Sequence, residues 1–241
     1  MFNPISDVFK KTEQENRPAL LTYTVAGDSS KKQSLDILKS ISKNADILEI
    51  GVPHNTPVAD GSQIQTSAYR AIKNGIKMDD IFKIVNDFKK FNNDKPVILM
   101  GYYNMIFKYG ENNYLKKCKK KSIYFIQLLS PTTTYKRLKK IIQDSHAMNY
   151  FISMLSTTGG KLKVSPREIL KNYKKIKKIN PKKKKVIVFG IIEKTIGKLK
   201  SADGLVVGSA ICSEITRSLN GRQNPVTNVG KLVRKLKDKI K

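Results

Sequence analysis

Two carboxylates in one short stretch, ADILEIGVPHNTPVADGS from Ala45 to Ser62, stand where the surrounding pattern has no place for charge. Glu49 lies inside an apolar, β-rich run, and Asp60 sits at the far end of a Pro-punctuated loop from Pro53 to Gly61. Side chains alternate along a strand, so Ile47 and Glu49 share one face while Leu48 and Ile50 share the other. If both faces are buried, Glu49 is a charge in a hydrophobe's position. Burial raises a carboxyl group's pKa toward neutrality, which suits it to both give and take a proton. A plain Glu at a sheet edge is the alternative, and Asp-Gly is a common turn pair. The length of the loop favours function, because long loops in compact domains tend to carry sites.

A third feature is GLVVGSAI, which places Gly208, Ser209 and Ala210 between a β-like run and a helical pattern. Small residues and free N–H groups at a helix N-terminus are what a phosphate group requires. Glycine as a simple turn is the alternative. The two Cys (118 and 212) and two His (54 and 146) show no metal-ligand spacing and no disulfide framework, so neither a metal nor an oxidising compartment is expected.

The elements that must position these groups repeat along the chain. Short apolar runs occur at Ala19 to Val25, Asp46 to Val52, Pro96 to Tyr102, Ile123 to Leu129, Tyr150 to Met154, Lys185 to Gly190 and Gly204 to Gly208. They are nearly continuous in apolar residues, as in strands of a parallel sheet covered on both faces. Helix-period segments separate them, among them KKQSLDILKSISK, MDDIFKIVNDFKKF, YKRLKKIIQD, SPREILKNYKKIKKI and SAICSEITRSL. Repeated β-then-α units predict an α/β fold, either a (β/α) barrel or an open doubly wound sheet. No Gly-x-Gly-x-x-Gly follows the first strand, which favours the barrel. Seven units sit awkwardly with a fold of eight. No linker-like stretch divides the chain, so residues 1–241 read as one domain.

Forty-seven Lys plus Arg against nineteen Asp plus Glu give a formal charge of +28. Nucleic acid or an anionic membrane would be the usual partners. Only seven of the basic residues are Arg, the residue suited to bidentate phosphate and base contacts, and the lysines are scattered over helix faces. We read a solvated Lys-rich surface with no nucleic-acid and no membrane partner. The N-terminus lacks a signal-like apolar run and no segment is long enough to span a membrane, so a cytoplasmic protein is expected.

The stretch ILEIGVPHNTPVADG resembles the signature of the tryptophan synthase alpha chain family. LTYTVAGD (Leu21 to Asp28), ILMGYYNMIFKYG (Ile98 to Gly110), SPTTT (Ser130 to Thr134), TTG (Thr157 to Gly159) and VVGSAI (Val206 to Ile211) support the match in order and spacing over nearly the whole chain. The resemblance implies a TIM-type (β/α) barrel lyase that splits indole-3-glycerol phosphate into indole and glyceraldehyde 3-phosphate without a cofactor of its own. It also implies a beta chain partner in an alpha2beta2 heterotetramer. On the family's pattern Glu49 is the general acid/base and Asp60 holds the indole N–H. Tyr23, Tyr102, Tyr150 and Phe189 line or border the indole slot, and Thr158 belongs to the closing loop. Gly159, Gly190, Gly208 and Ser209 hold the phosphate.

The chain departs from that pattern in several places. One strand and helix are absent between NNYLKKCKKKS and IYFIQLLSPTTT, which predicts a barrel shortened by one βα unit. Asn55, Thr56 and Pro57 replace a Ser-Asp-Pro; residues Met154 to Gly159 replace an Arg-containing lid motif; Val188 replaces a glycine near the phosphate. A second expectation follows: a degraded alpha chain that only binds and activates the beta chain.

Overall fold

Seven of the apolar runs become strands, and all their pairings are parallel. The structure, a computed structural model, describes residues 3–120, 126–130, 132–145, 147–153, 165–188 and 190–241. The strands are β1 (Ala19–Val25), β2 (Ile47–Gly51), β3 (Val97–Met100), β4 (Gln127–Leu129), β5 (Met148–Ile152), β6 (Lys184–Val188) and β7 (Gly204–Val207). Their spatial order is β3-β2-β1-β7-β6-β5-β4, so the first strand pairs with the last and the sheet curls as a barrel does. β2 and β5 lie four places apart in that order, yet the Tyr150 hydroxyl is 2.8 Å from Glu49 Oε2, a contact that only a strongly curled sheet permits. Among the described residues β3 and β4, the ends of the order, do not pair with each other.

Most strand ends differ by a residue or two from the sequence-based expectation, and two strands are instructive. β5 begins at Met148, ahead of the expected Tyr150, because the polar Asn149 interrupts the apolar run although it is fully buried. The expected β4 run from Ile123 yields a strand only at Gln127–Leu129; residues 123 to 125 lie outside the described residues.

The alternation read from the sequence divides the core in two. Leu21, Ile47, Ile98, Tyr150, Val186 and Val206 turn inward and pack together. Leu20, Leu48, Ile50, Phe151, Ile187 and Leu205 turn outward, against the helices. The interior is stopped by α1 (Pro4–Gln14), through Ile5 and Phe9. This helix starts where Asn3 accepts the N–H groups of Ile5 and Ser6 and Pro4 occupies the first turn. The outer layer comprises α2 (Lys31–Ile41), α3 (Ser62–Lys73), α4 (Met78–Phe91), α5 (Tyr103–Tyr109), α6 (Glu111–Lys120), α7 (Tyr135–Asp144), α8 (Pro166–Ile179), α9 (Ser209–Asn220) and α10 (Pro225–Asp238).

On α7 and α8 most lysines point away from buried Leu138, Ile142, Ile169, Tyr173 and Ile176, as expected for solvated faces, although Lys177 reaches back to Asp203. Lys185 and Lys237, on other elements, are drawn further inward. Lys185 is fully buried and bonds the carbonyls of Asn180 and Lys183; burial and neighbouring Lys177 bring its pKa down to about 8. Lys237 reaches from α10 to Asp46 at 2.7 Å, where Arg17 also forks onto the carboxylate at 2.7 and 3.0 Å. Asp46 accepts the Leu20 N–H as well, so one carboxylate ties α10 to the start of β1 and β2.

Candidate active site

Glu49 sits on β2 between Tyr23 of β1 and Ile98 of β3 in register, on the inward face. It is 2% exposed, and all five residues of its strand are buried. Loss of solvent raises its carboxyl pKa to about 7; the hydrogen bond donated by Tyr150 opposes the shift and the negative charge of Asp60 adds to it. A carboxyl group titrating near neutrality inside an apolar chamber can serve as both acid and base.

Asp60 ends the loop between β2 and α3. Burial raises its pKa, countered chiefly by the Tyr102 hydroxyl, which donates to Oδ2 at 3.2 Å. The same Tyr102 oxygen accepts the Ala59 N–H at 3.0 Å. Inside the loop the Val58 and Asp60 N–H groups bond the Thr56 and Pro57 carbonyls, each at 3.0 Å, and Gln65 of α3 donates to the Asp60 carbonyl at 2.8 Å. The loop is therefore folded on itself and pinned at both ends of its last turn.

Tyr23 lies between the two carboxylates electrostatically. Burial and then the charge of Asp60 push its phenol well above the usual value, with Glu49 adding to the shift. Its place depends on two glycines: a Cβ on Gly51 would collide with the Tyr23 hydroxyl, and one on Gly208 would stand 3.2 Å from its Cβ. Gly208 precedes α9, whose first turn has no side-chain cap, and Ser209 opens the helix. Gly190, at φ 69°, is in the left-handed region that a Cβ disfavours.

The structure thus brings Glu49, Asp60, Tyr23, Tyr102 and Tyr150 into one linked set at the carboxyl ends of the strands, with Gly208 and Ser209 beside it. Thr158, Gly159 and Phe189 lie outside the described residues, as does the Met154 to Gly159 segment. Gly51 was missed by sequence reasoning, although a glycine immediately after a strand carboxylate was a visible signal. His54 was considered only as a metal ligand; among the described residues no group of His, Cys, Asp or Glu is placed to hold a metal. Cys118 and Cys212 are buried free thiols. No helix among the described residues is long and apolar enough to cross a membrane.

Comparison with known proteins fits this architecture. The family model described as tryptophan synthase alpha chain matches residues 9–124 and, separately, 114–241. The two matches overlap at residues 114–124, beside the expected position of the absent strand. The tryptophan synthase alpha chain of Pelagibacter ubique is 62% identical, covering 98% of each chain. That alignment runs over 261 positions, more than the 241 residues present here, so the relative carries residues without a counterpart in this chain. Tryptophan synthase subunit alpha from Legionella pneumophila superposes with a TM-score of 0.90 at 27% identity, covering 100% of this chain and 99% of its own. A Pyrococcus furiosus structure, described as the basis of mutual activation of the tryptophan synthase a2b2 complex, has a TM-score of 0.79 at 30% identity over 90% of this chain and 97% of its own. A full-length match of this identity, on a curled seven-stranded sheet of the same architecture, means that the chain belongs to the tryptophan synthase alpha chain family.

Proposed function

We propose that this protein cleaves indole-3-glycerol phosphate to indole and glyceraldehyde 3-phosphate, as the alpha subunit of an alpha2beta2 tryptophan synthase in the cytoplasm. The observation that carries the reading is Glu49: buried inside the curled sheet, held by Tyr150, titrating at about 7 and sharing its site with Asp60.

In the chemistry we assign, the Glu49 carboxyl protonates indole C3. The ring nitrogen takes up positive charge, which the Asp60 carboxylate stabilises through the indole N–H. Glu49, now a carboxylate, removes the proton from the glycerol hydroxyl next to the ring; a carbonyl forms there, the C–C bond breaks, and its electron pair restores the aromatic ring. Glu49 ends as it began, and no water or cofactor is consumed. Stabilising charge where it develops is what an enclosed carboxylate does best. Tyr23, Tyr102, Tyr150 and Phe189 would border the flat apolar slot that the ring requires. The phosphate would rest on the uncapped N–H groups of α9 at Gly208 and Ser209, with Gly190 and Gly159 contributing. Thr158 would belong to the loop that closes over the substrate.

Indole release by the purified chain, alone and with its own beta chain, is the test. Glu49→Gln should lower the rate by about 10²- to 10⁴-fold, the usual share of a general acid/base. Asp60→Asn should lose most of its rate too. A second reading is favoured by the ends of the strand order at β3 and β4, which do not pair with each other among the described residues: a subunit that binds and activates the beta chain without chemistry of its own. It predicts no Glu49-dependent indole release but normal activation of the beta chain.

A further inference from the structure

The loop that carries Asp60 is fastened to the start of α5 at two points. One is Tyr102, described above. The other is His54, at the loop's near end. Its Nδ1 accepts the Thr56 N–H at 2.9 Å, its Nε2 lies 2.8 Å from the Asn104 side-chain amide, and its ring leans on that of Tyr102 with centroids 5.0 Å apart. Tyr102 in turn touches Asp60 and Ala59. His54 therefore engages the loop backbone, α5 and the tyrosine that holds the carboxylate.

The acceptor bond to Thr56 determines the ring's chemistry. An Nδ1 that accepts a hydrogen bond carries no proton, so the neutral imidazole bears its proton on Nε2. The Asn104 Nδ2 stands at Nε2, and two N–H donors cannot bond each other, so the amide is assigned turned by 180°, its oxygen accepting from Nε2–H.

We propose that His54 is a positioning residue: as its Nε2–H tautomer it clamps the Asp60 loop to α5 and presets the carboxylate for the indole N–H. The role rests on the reading of Asp60 given above. A carboxylate that stabilises charge in the transition state must be in place before that charge appears, and a displacement of about 1 Å can cost on the order of 10²-fold. Fixing both ends of the loop is how this chain restricts such displacement.

Three substitutions separate the contacts. His54→Asn keeps an acceptor where Nδ1 stands and can still take the Thr56 N–H. His54→Gln keeps the reach to Asn104, and His54→Phe keeps only the ring. With the full chain and its beta chain, Phe and Asn should lower kcat roughly tenfold to a hundredfold with little change in KM, and Gln, which keeps the bond to α5, should recover most of the loss. Equal activity in all three, an equal loss in all three, or a change confined to KM overturns the clamp.

A second measurement does not depend on turnover. The chain has two histidines, so ¹⁵N spectra of a His146→Gln protein report His54 alone. A neutral ring protonated at Nε2, with Nδ1 in the range of a hydrogen-bonded acceptor, is expected. An Nδ1–H tautomer or an averaged mixture overturns the proposal. Were indole release absent from the wild type, the enzymatic reading would fail while these spectra still decided the clamp.

Discussion

At the residue scale the dominant fact is that Glu49 is held neutral more firmly in the folded chain than in the unfolded one. Its pKa rises from 4.5 to about 7 on folding, chiefly through loss of solvent. The native state thus binds this proton more tightly. The stability it contributes is complete below about 4.5, declines as pH rises toward 7 and is absent above. Glu49→Gln should therefore stabilise the fold at pH 8 by up to about 3 kcal/mol and hardly at all at pH 4, while slowing indole release by about 10²- to 10⁴-fold. Thermal melts at the two pH values check it; equal shifts at both would contradict the burial account. Tyr150→Phe removes the one bond that holds the Glu49 pKa down. The alkaline limb of kcat/KM should move to higher pH, measurable in a pH–rate profile.

At the element scale, placement of the site depends on features far from it. Asp46 sits at the opposite end of β2 from the loop of Asp60 and gathers Arg17, Lys237 and the Leu20 N–H. Burial alone would raise its pKa, but Arg17 and then Lys237 bring it below the ordinary carboxylate value. Its stabilisation is complete above that ordinary value and is lost only as pH falls further. Asp46→Ala strands two partly buried cations and should cost about 3–5 kcal/mol, read by urea denaturation at pH 7. Near the site, Gly208→Val would press on Tyr23 and on the first turn of α9. KM for indole-3-glycerol phosphate should rise, with global stability changing far less. A KM equal to the wild-type value would remove the α9 N-terminus from the phosphate assignment.

At the scale of the whole molecule, the described residues form a seven-stranded sheet whose order ends at β3 and β4, and its weakest members are predictable. β1, β2, β7, β6 and β5 have partners on both sides, whereas β3 and β4 are flanked on one side only among the described residues. The burial pattern agrees: β7 is buried throughout, while β3 and β4 are buried only in part. Amide exchange should be fastest, among strands, at Val97–Met100 and Gln127–Leu129, and slowest in β1 and β7. Uniform protection across all seven would mean that something covers those edges.

How much of this could be read in advance varied with the interaction involved. Local physics was legible: β1, α4 and α7 have the bounds that apolar runs and helical spacing indicate. Alternation put Glu49 and Ile47 on one face, and the strand count with the resemblance gave a barrel short of one unit. The sequence by itself determined the elements, the family and the two carboxylates, because period, motif order and turn chemistry are properties of neighbouring residues. Only the tertiary structure decided that Tyr150 meets Glu49, that Gly51 makes room for Tyr23 and that His54 and Tyr102 fasten the Asp60 loop. It also decided that, among the described residues, the strand order ends at β3 and β4. These contacts join strands and loops distant along the chain, and curling of the sheet, which no local pattern encodes, brings them within reach.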